Sequence, residues 1–267
     1  DGIQRDKDFV SQINPASIDR VEIITNPSAR YGGDISGVIE IFLIKEKAYG
    51  MSGRVSADIP SPPTYIMSPS ANLDYGYSNI RLYVSDRMHF EKFNGFQETS
   101  TLRYMNNQTY KQENYGTGKF TSSNNNLNYG MDWFINEKNT LNFLGNISTY
   151  GFSYNDFQFD SKQFIDDELH SKETIEEDNN NEGTSTYYSV YYKRKFENQN
   201  QQLTMQGSFY DYKGLSNQNF ENQQLDINTD ELINQYSRQE RVENRRNSFD
   251  YMADYSQSFD KSSIEAG

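Results

Sequence analysis

The chain holds 2 histidines and no cysteine, so thiolate metal sites, disulfides and cysteine nucleophiles are excluded from the outset. His89 and His170 stand far apart, and neither has a neighbouring ligand pattern; each reads as an ordinary wall or loop histidine. The acidic run of Asp166, Asp167, Glu168, Glu173, Glu176, Glu177, Asp178 and Glu182 could hold a cation. Its spacing fits no calcium-loop template, which makes it a solvated loop. Phe157, Phe159 and Phe164 could stack on a ligand from that loop, or pack against one another. Gly116-Thr117-Gly118 lacks the strand-then-helix setting of a phosphate cradle, and Asn124–Asn126 and Asn179–Asn181 are polar turn or loop segments. No catalytic constellation, metal site or cofactor is expected.

Composition narrows the class of protein. Of 267 residues 34% are hydrophobic, and 25 Lys+Arg stand against 38 Asp+Glu for a formal net charge of -13. A nucleic-acid partner normally requires a basic face, so none is expected. Low hydrophobicity with net charge also describes disordered chains, but 21 Tyr and 17 Phe argue against disorder. Tyrosine in that number suits surfaces with apolar bodies and wet tips, as at membrane interfaces. No run reaches the 18 or so apolar residues of a membrane-spanning helix, so any membrane crossing must use a closed β-barrel.

The elements that would position these residues read as strands. Leu127, Tyr129, Met131, Trp133 and Ile135 alternate with Asn128, Gly130 and Asp132. The same period-two pattern recurs at Val55–Ile59, Ala71–Tyr77, Ile80–Phe90 with an interruption at Asp86, Leu141–Thr149, Tyr188–Phe196, Leu203–Phe209 and Phe249–Tyr255, and a further strand begins at Ile264. Pro60, Pro62, Pro63 and Pro69 mark residues 60–69 as a loop. Short turns are expected at Ser78-Asn79, Asn136–Asn139, Asn198–Asn200 and Asp260-Lys261, a spacing of roughly 60 residues that suits tall hairpins with large loops on one side. Those loops are expected over 94–119, 156–184 and 216–240. Asp132, Asn142, Asn146, Gln206, Asp250 and Asp254 point to the face opposite the apolar one and would line a polar lumen.

Upstream of these strands the chain is compact and β-rich. Val21–Ile24 and Gly37–Ile44 have the β-branched content of strands, with Pro27 and Gly32-Gly33-Asp34 supplying a reversal between them. Ile18-Asp19-Arg20-Val21-Glu22-Ile23, Asn26-Pro27-Ser28-Ala29-Arg30-Tyr31-Gly32 and Gly37-Val38-Ile39-Glu40-Ile41 resemble, in order and spacing, the last part of the plug domain of TonB-dependent outer-membrane receptors. Asp1-Gly2-Ile3 resembles an earlier plug motif. Asn26, Ser36 and Glu40 depart from that family's glycine, glycine and asparagine, and Thr25 stands where many receptors carry an arginine.

The resemblance implies a fold that is all-β dominated: a transmembrane antiparallel β-barrel preceded by the end of a small α+β plug. Residues 1–48 would be the C-terminal part of the plug and 49–267 the N-terminal portion of the barrel. About eight to nine strands are expected, against about 22 in plugged transporters, so the chain reads as a fragment of a longer polypeptide. It also implies ligand-gated active uptake of a bulky nutrient in the outer membrane of a Gram-negative bacterium. The partners so implied are periplasmic TonB, acting on a segment upstream, outer-membrane lipids, a bulky external ligand such as a metal chelate, glycan or peptide, and in some relatives a surface lipoprotein. Arg20, Glu22, Asn26, Pro27, Tyr31, Gly32, Gly33 and Gly37 would serve plug gating and structure. The rival readings are a non-transporting barrel scaffold or receptor, and a surface β-sandwich adhesin.

Overall fold

The computed structural model describes residues 18–25, 36–43, 50–60, 62, 65–197, 201–259 and 263–267. Both upstream β-branched runs form strands, β1 (Ile18–Ile24) and β2 (Val38–Leu43), paired antiparallel with Ile23 opposite Ile39 and Glu22 opposite Glu40. Two carboxylates facing each other across a ladder are unfavourable. Arg20 offsets this by donating from Nε to Glu22 at 2.7 Å, while its guanidinium carbon lies 3.8 Å from the centre of the Phe42 ring. This part of the chain holds two strands and no helix among the described residues.

The remaining elements are β3 (Gly50–Ser56), β4 (Tyr65–Met67), β5 (Ser70–Tyr77), β6 (Ile80–Met105), β7 (Gln108–Asn136), β8 (Asn139–Ile165), β9 (Glu168–Lys195), β10 (Gln201–Leu225), β11 (Leu232–Ser258) and β12 (Ser263–Ala266). They form a 10-stranded antiparallel sheet in the order β12-β11-β10-β9-β8-β7-β6-β5-β3, with β4 paired to β6 off that path. Neighbours in the sheet are therefore neighbours in the chain, as in a meander. The sheet is open, with β3 and β12 at its ends.

The expected alternating runs lie in strands except Ala57–Ile59, which follow the end of β3, and Phe196, just past β9; turns close at Ser78-Asn79 and between Asn136 and Asn139. Asn136 Oδ1 holds the latter by accepting from the backbone N–H groups of Lys138 and Asn139. Pairing continues through Asp86 without a shift, so the expected interruption there is absent. The turns expected at Asn198–Asn200 and Asp260-Lys261 lie outside the described residues.

The large loops are where the structure departs most from the expectation. Residues 94–119, 156–184 and most of 216–240 are not loops but the upper halves of β6 to β11, strands of 25 to 29 residues. At about 3.4 Å per residue these strands run roughly 85–100 Å, several times a membrane's apolar thickness. The ladder persists because Thr, Tyr, Phe, Asn and Gln continue the period-two spacing after the aliphatic residues stop, and a sheet wet on both faces needs no apolar alternation. The hairpins close on tight turns at Asn106-Asn107 and Asp166-Asp167, whose φ values of 54° and 64°, and of 50° and 65°, are those of type I′ turns. Proline-rich 60–69 likewise returns to the sheet, with β4 pairing to Phe90–Lys92 and the Pro69 carbonyl accepting from Met88 N–H at 2.9 Å.

Candidate functional site

In its lower third the sheet carries apolar side chains on one face, in rows aligned by strand register. One row is Leu73, Val84, Tyr129, Gly145, Tyr188, Phe209 and Phe249; the next is Tyr75, Leu82, Met131, Phe143, Val190, Gly207 and Tyr251. A third, Tyr77, Ile80, Trp133, Leu141, Tyr192, Met205 and Ala253, lies next to the short turns. Above them Asp86, Thr186, Asp211 and Asn247 end the belt on four of the strands. On β7 the belt extends from Leu127 to Ile135, roughly 27 Å along the strand. Its residues are open to the outside, with Val190 48% and Tyr251 84% exposed. No second sheet covers them among the described residues.

The opposite face at the same height is polar and buried. Asn128 is 1% and Asn142 4% exposed, and Tyr191 is the one apolar side chain buried among the described residues. The polar face of this one sheet is thus the less exposed of the two. We call that face inner and the apolar one outer. Hydrogen bonds tie much of the inner face together: Arg81 Nε and Nη2 grip the Asp74 carboxylate at 2.9 and 2.5 Å, and Asn142 Nδ2 donates to Asp132 Oδ1 at 2.6 Å, although Asn142 Oδ1 is buried without a hydrogen-bond partner among the described residues. Asn146 Nδ2 donates to Asn126 Oδ1 and Asn128 Oδ1, both at 2.8 Å. All six residues expected to line a lumen, Asp132, Asn142, Asn146, Gln206, Asp250 and Asp254, share this face by register, and Gln206 Nε2 donates to Ser189 Oγ at 3.1 Å.

Higher up, the inner face changes character. The rings of Phe93, Phe120, Tyr154, Phe157 and Phe159 form a continuous platform across β6, β7 and β8. Phe93 and Phe120 are nearly parallel, with centroids 5.0 Å apart and planes at 13°. Phe157 and Phe159 are 6.0 Å apart at 24°. Glycines on the neighbouring strands make room for the rings. A Cβ on Gly95 would stand 2.7 Å from the Phe120 ring, one on Gly118 2.5 Å from Phe157, and one on Gly116 2.5 Å from Phe159. Gly116 and Gly118 are thus ring seats inside a strand, consistent with the lack of a phosphate-loop setting.

A single extra residue in β8 builds this platform. Lys119 pairs with Asn155 and Thr117 with Gln158, so β8 has one residue more than β7 between those pairs. Asp156, at φ 52°, takes the left-handed conformation of a β-bulge. Its backbone N–H donates to Asp178 Oδ1 at 2.8 Å, and its carboxylate accepts from Lys119 Nζ at 2.5 Å. The bulge inverts the alternation, putting Tyr154 below it and Phe157 and Phe159 above it on one face.

Next to the rings lies a polar cluster. Tyr154 Oη donates to Glu177 Oε1 at 2.5 Å, Gln218 Nε2 donates to the same oxygen, and Asn179 Nδ2 donates to Tyr154 Oη at 3.3 Å. Partial burial, then the Glu177 carboxylate, push the Tyr154 phenol above its ordinary pKa. Glu177 lies directly between Phe157 and Phe220 in the ladder, and Phe220 packs against Tyr236 at 6.4 Å.

Of the three phenylalanines singled out by sequence, the structure brings two together. Phe164 pairs with Lys111, an odd number of positions from Gly116, so it lies on the outer face near the hairpin tip, with Lys111 Nζ 5.6 Å from its ring centre. Arg20 and Glu22 lie on β1 and Gly37 just before β2; Asn26, Pro27, Tyr31, Gly32 and Gly33 lie outside the described residues. The acidic run is dispersed along β9 and its turn, not gathered in a loop, and no group of His, Asp and Glu able to hold a metal occurs among the described residues. Ser68 Oγ is 2.9 Å from His89 Nδ1, but Glu91 Oε2 is 3.8 Å from Nε2, too far to orient the ring as a catalytic base requires.

Sequence reasoning missed Phe93, Phe120, Tyr154 and Gln218, and took Glu177 only as one of the acidic run. The Gly-x-Gly spacing within an otherwise regular alternation was the available signal. The chain matches no model of a known protein family and no curated protein.

Proposed function

We propose that this chain contributes wall and plug to an outer-membrane β-barrel of the TonB-dependent receptor class, which imports a bulky nutrient. The observation that carries the reading is the belt. In water so many large apolar side chains in one contiguous band would be driven to associate, whereas hydrocarbon requires them on the outside and requires the backbone to be fully paired. A hydrogen-bonded polar inner face is what a water-filled barrel interior needs. The belt height on β7 agrees with the apolar band of about 25 Å of such barrels.

The transport part of the reading rests on the resemblance of Ile18–Ile41 to a plug. A pore wide enough for a bulky ligand must be sealed at rest, and the outer membrane has no ATP. In this reading TonB supplies the work from the inner-membrane proton gradient, β1 and β2 belong to the seal, and Arg20, Glu22 and Gly37 shape it. The free edges of the sheet must also be covered by further strands, since an unpaired edge is not tolerated in hydrocarbon.

Fractionation and uptake test the two halves. The protein is expected in the outer-membrane fraction, extracted only by detergent; recovery as a soluble species without detergent would sink the barrel. Deleting the gene, or uncoupling TonB, is expected to abolish uptake of one bulky nutrient, and unchanged uptake of every candidate nutrient would remove transport.

A further inference from the structure

We infer that the inner face of the extended hairpins is a binding site for an elongated, uncharged oligosaccharide, centred on Phe157 and Glu177. As a statement about what is imported, it rests on the uptake reading above; as a binding site, it stands on the following geometry.

Glycines 116 and 118 lack the Cβ atoms that would hold Phe159 and Phe157 off β7, so these two rings lean over that strand, while Phe120, beside Gly95, stands at 70° to Phe157. A ring leaning over a strand presents its face to the open side, and that face carries the negative lobe of the aromatic quadrupole. The complementary partner is a flat array of weakly positive C–H groups, which is what one side of a pyranose ring offers. Phe157 and Phe159, nearly parallel at 24°, form a continuous surface of this kind.

Hydrogen-bonding groups stand where the hydroxyls at a sugar's rim would reach. Glu177 is flanked by Phe157 on β8 and Phe220 on β10, two rings roughly 10 Å apart at ordinary strand spacing. Tyr154 and Gln218 both donate to its Oε1, which fixes the carboxylate and leaves Oε2 as an acceptor among the described residues. Asn179, which donates to Tyr154 Oη, adds an amide carrying both donor and acceptor. Phe220 and Tyr236 continue the aromatic surface across β10 and β11, so the site extends along one direction across the sheet.

The alternatives fit less well. Anionic ligands meet Glu177 in a chain of net charge -13, and the cation across the ladder from Phe220, Arg238, lies 5.9 Å over that ring and is paired with Glu240 at 3.8 Å. An extended peptide binds sheets by adding to an edge, but Phe157 and Glu177 lie on β8 and β9, whose backbones are paired on both sides.

The test uses the full-length protein in detergent, titrated calorimetrically with maltohexaose, cellohexaose and mannohexaose. At least one should bind saturably; Phe157→Ala should weaken it more than tenfold and Glu177→Gln severalfold, with Phe157→Tyr close to wild type. Phe164→Ala, on the opposite face, should change affinity less than twofold. Heat-modifiable gel mobility and circular dichroism verify that each variant is folded; if Phe157→Ala misfolds, Glu177→Gln and Asn179→Ala decide. No binding of any of the three sugars, or equal binding by the Phe157 and Glu177 variants, overturns the site. So does a preference for acidic hexasaccharides or peptides. Saturable sugar binding without TonB-dependent uptake keeps the site and removes transport; TonB-dependent uptake without sugar binding does the reverse.

Discussion

The lower and upper halves of the same strands teach different things about what a sheet needs. In the lower belt Val190, Met205 and Tyr251 face outward, and Asn128, Asp132 and Asn142 are buried inside. In the upper extension the polarity reverses: Glu98, Glu113, Glu176 and Asp178 stand on the outer face by register, while Phe93, Phe120, Phe157 and Phe159 lie inside. The ladder between β9 and β10 crosses this reversal without a register shift. Backbone pairing therefore sets the fold, and the surrounding medium sets which face carries which side chains.

The sharpest way to break this comparison is to place the same charge in both halves. Val190→Arg puts a guanidinium in the middle row of the belt and should cost about 2–4 kcal/mol if that row faces the bilayer midplane. Outer-membrane assembly should fall accordingly. Glu176→Arg, on the same face in the upper half, should leave assembly unchanged. Urea titration of the protein in lipid vesicles measures both; equal tolerance of the two substitutions would place the belt outside lipid.

The bulge is the second point of attack, because it alone decides which face receives Phe157 and Phe159. Deleting Asp156 would leave Phe157 opposite Gly118 and Phe159 opposite Gly116, still inside; Asp156→Val, which keeps the residue but resists a positive φ, forces plain alternation and sends both rings outward. Loss of their contacts with Phe120, Tyr154 and each other should cost on the order of 2 kcal/mol, at about 0.5–1.5 kcal/mol per aromatic pair. The hairpin formed by β8 and β9 should then be cleaved faster by proteases near its tip, while the belt half remains protected. A milder perturbation is Gly118→Ala, which forces the Phe157 ring off its seat at about 1–3 kcal/mol. Combining it with Phe157→Ala should recover most of that loss, since the clash disappears with the ring. Additive losses would mean that Gly118 matters for its backbone alone.

The two halves also differ in how readable they were. Apolar and polar residues alternate over most of the belt, with Leu144, Tyr191 and Met252 as inner-face exceptions, so strands such as Leu127–Ile135 and turns such as Ser78-Asn79 were legible from spacing alone. Above it, alternation of Thr, Asn, Gln and aromatic residues carries no contrast that hydropathy can detect, and 94–119 looked like a loop for that reason. The turn chemistry was nonetheless present, in Asn106-Asn107 and Asp166-Asp167. Phe157 and Phe159 were found by residue type, but grouping them with Phe164 failed because the platform depends on the Asp156 bulge and on glycines in another strand. Neither is a local property of the sequence around Phe157.

The smallest expected effect concerns Tyr154, whose hydrogen bond to Glu177 joins the aromatic and polar parts of the upper inner face. Burial and the neighbouring carboxylate raise the folded-state pKa of its phenol above the unfolded value of about 10. A group raised in this way contributes stability that is fully present below its unfolded pKa and is lost as pH rises through the folded one, because the phenolate is then repelled by Glu177 and can no longer donate. The wild type should accordingly exceed Tyr154→Phe in stability by about 1 kcal/mol or less at pH 8. That margin should shrink toward zero as pH rises through the raised folded-state value. A margin that instead grows with pH would mean that the phenolate form is the one stabilised, and that the polar cluster is organised around a positive charge and not around the Glu177 carboxylate.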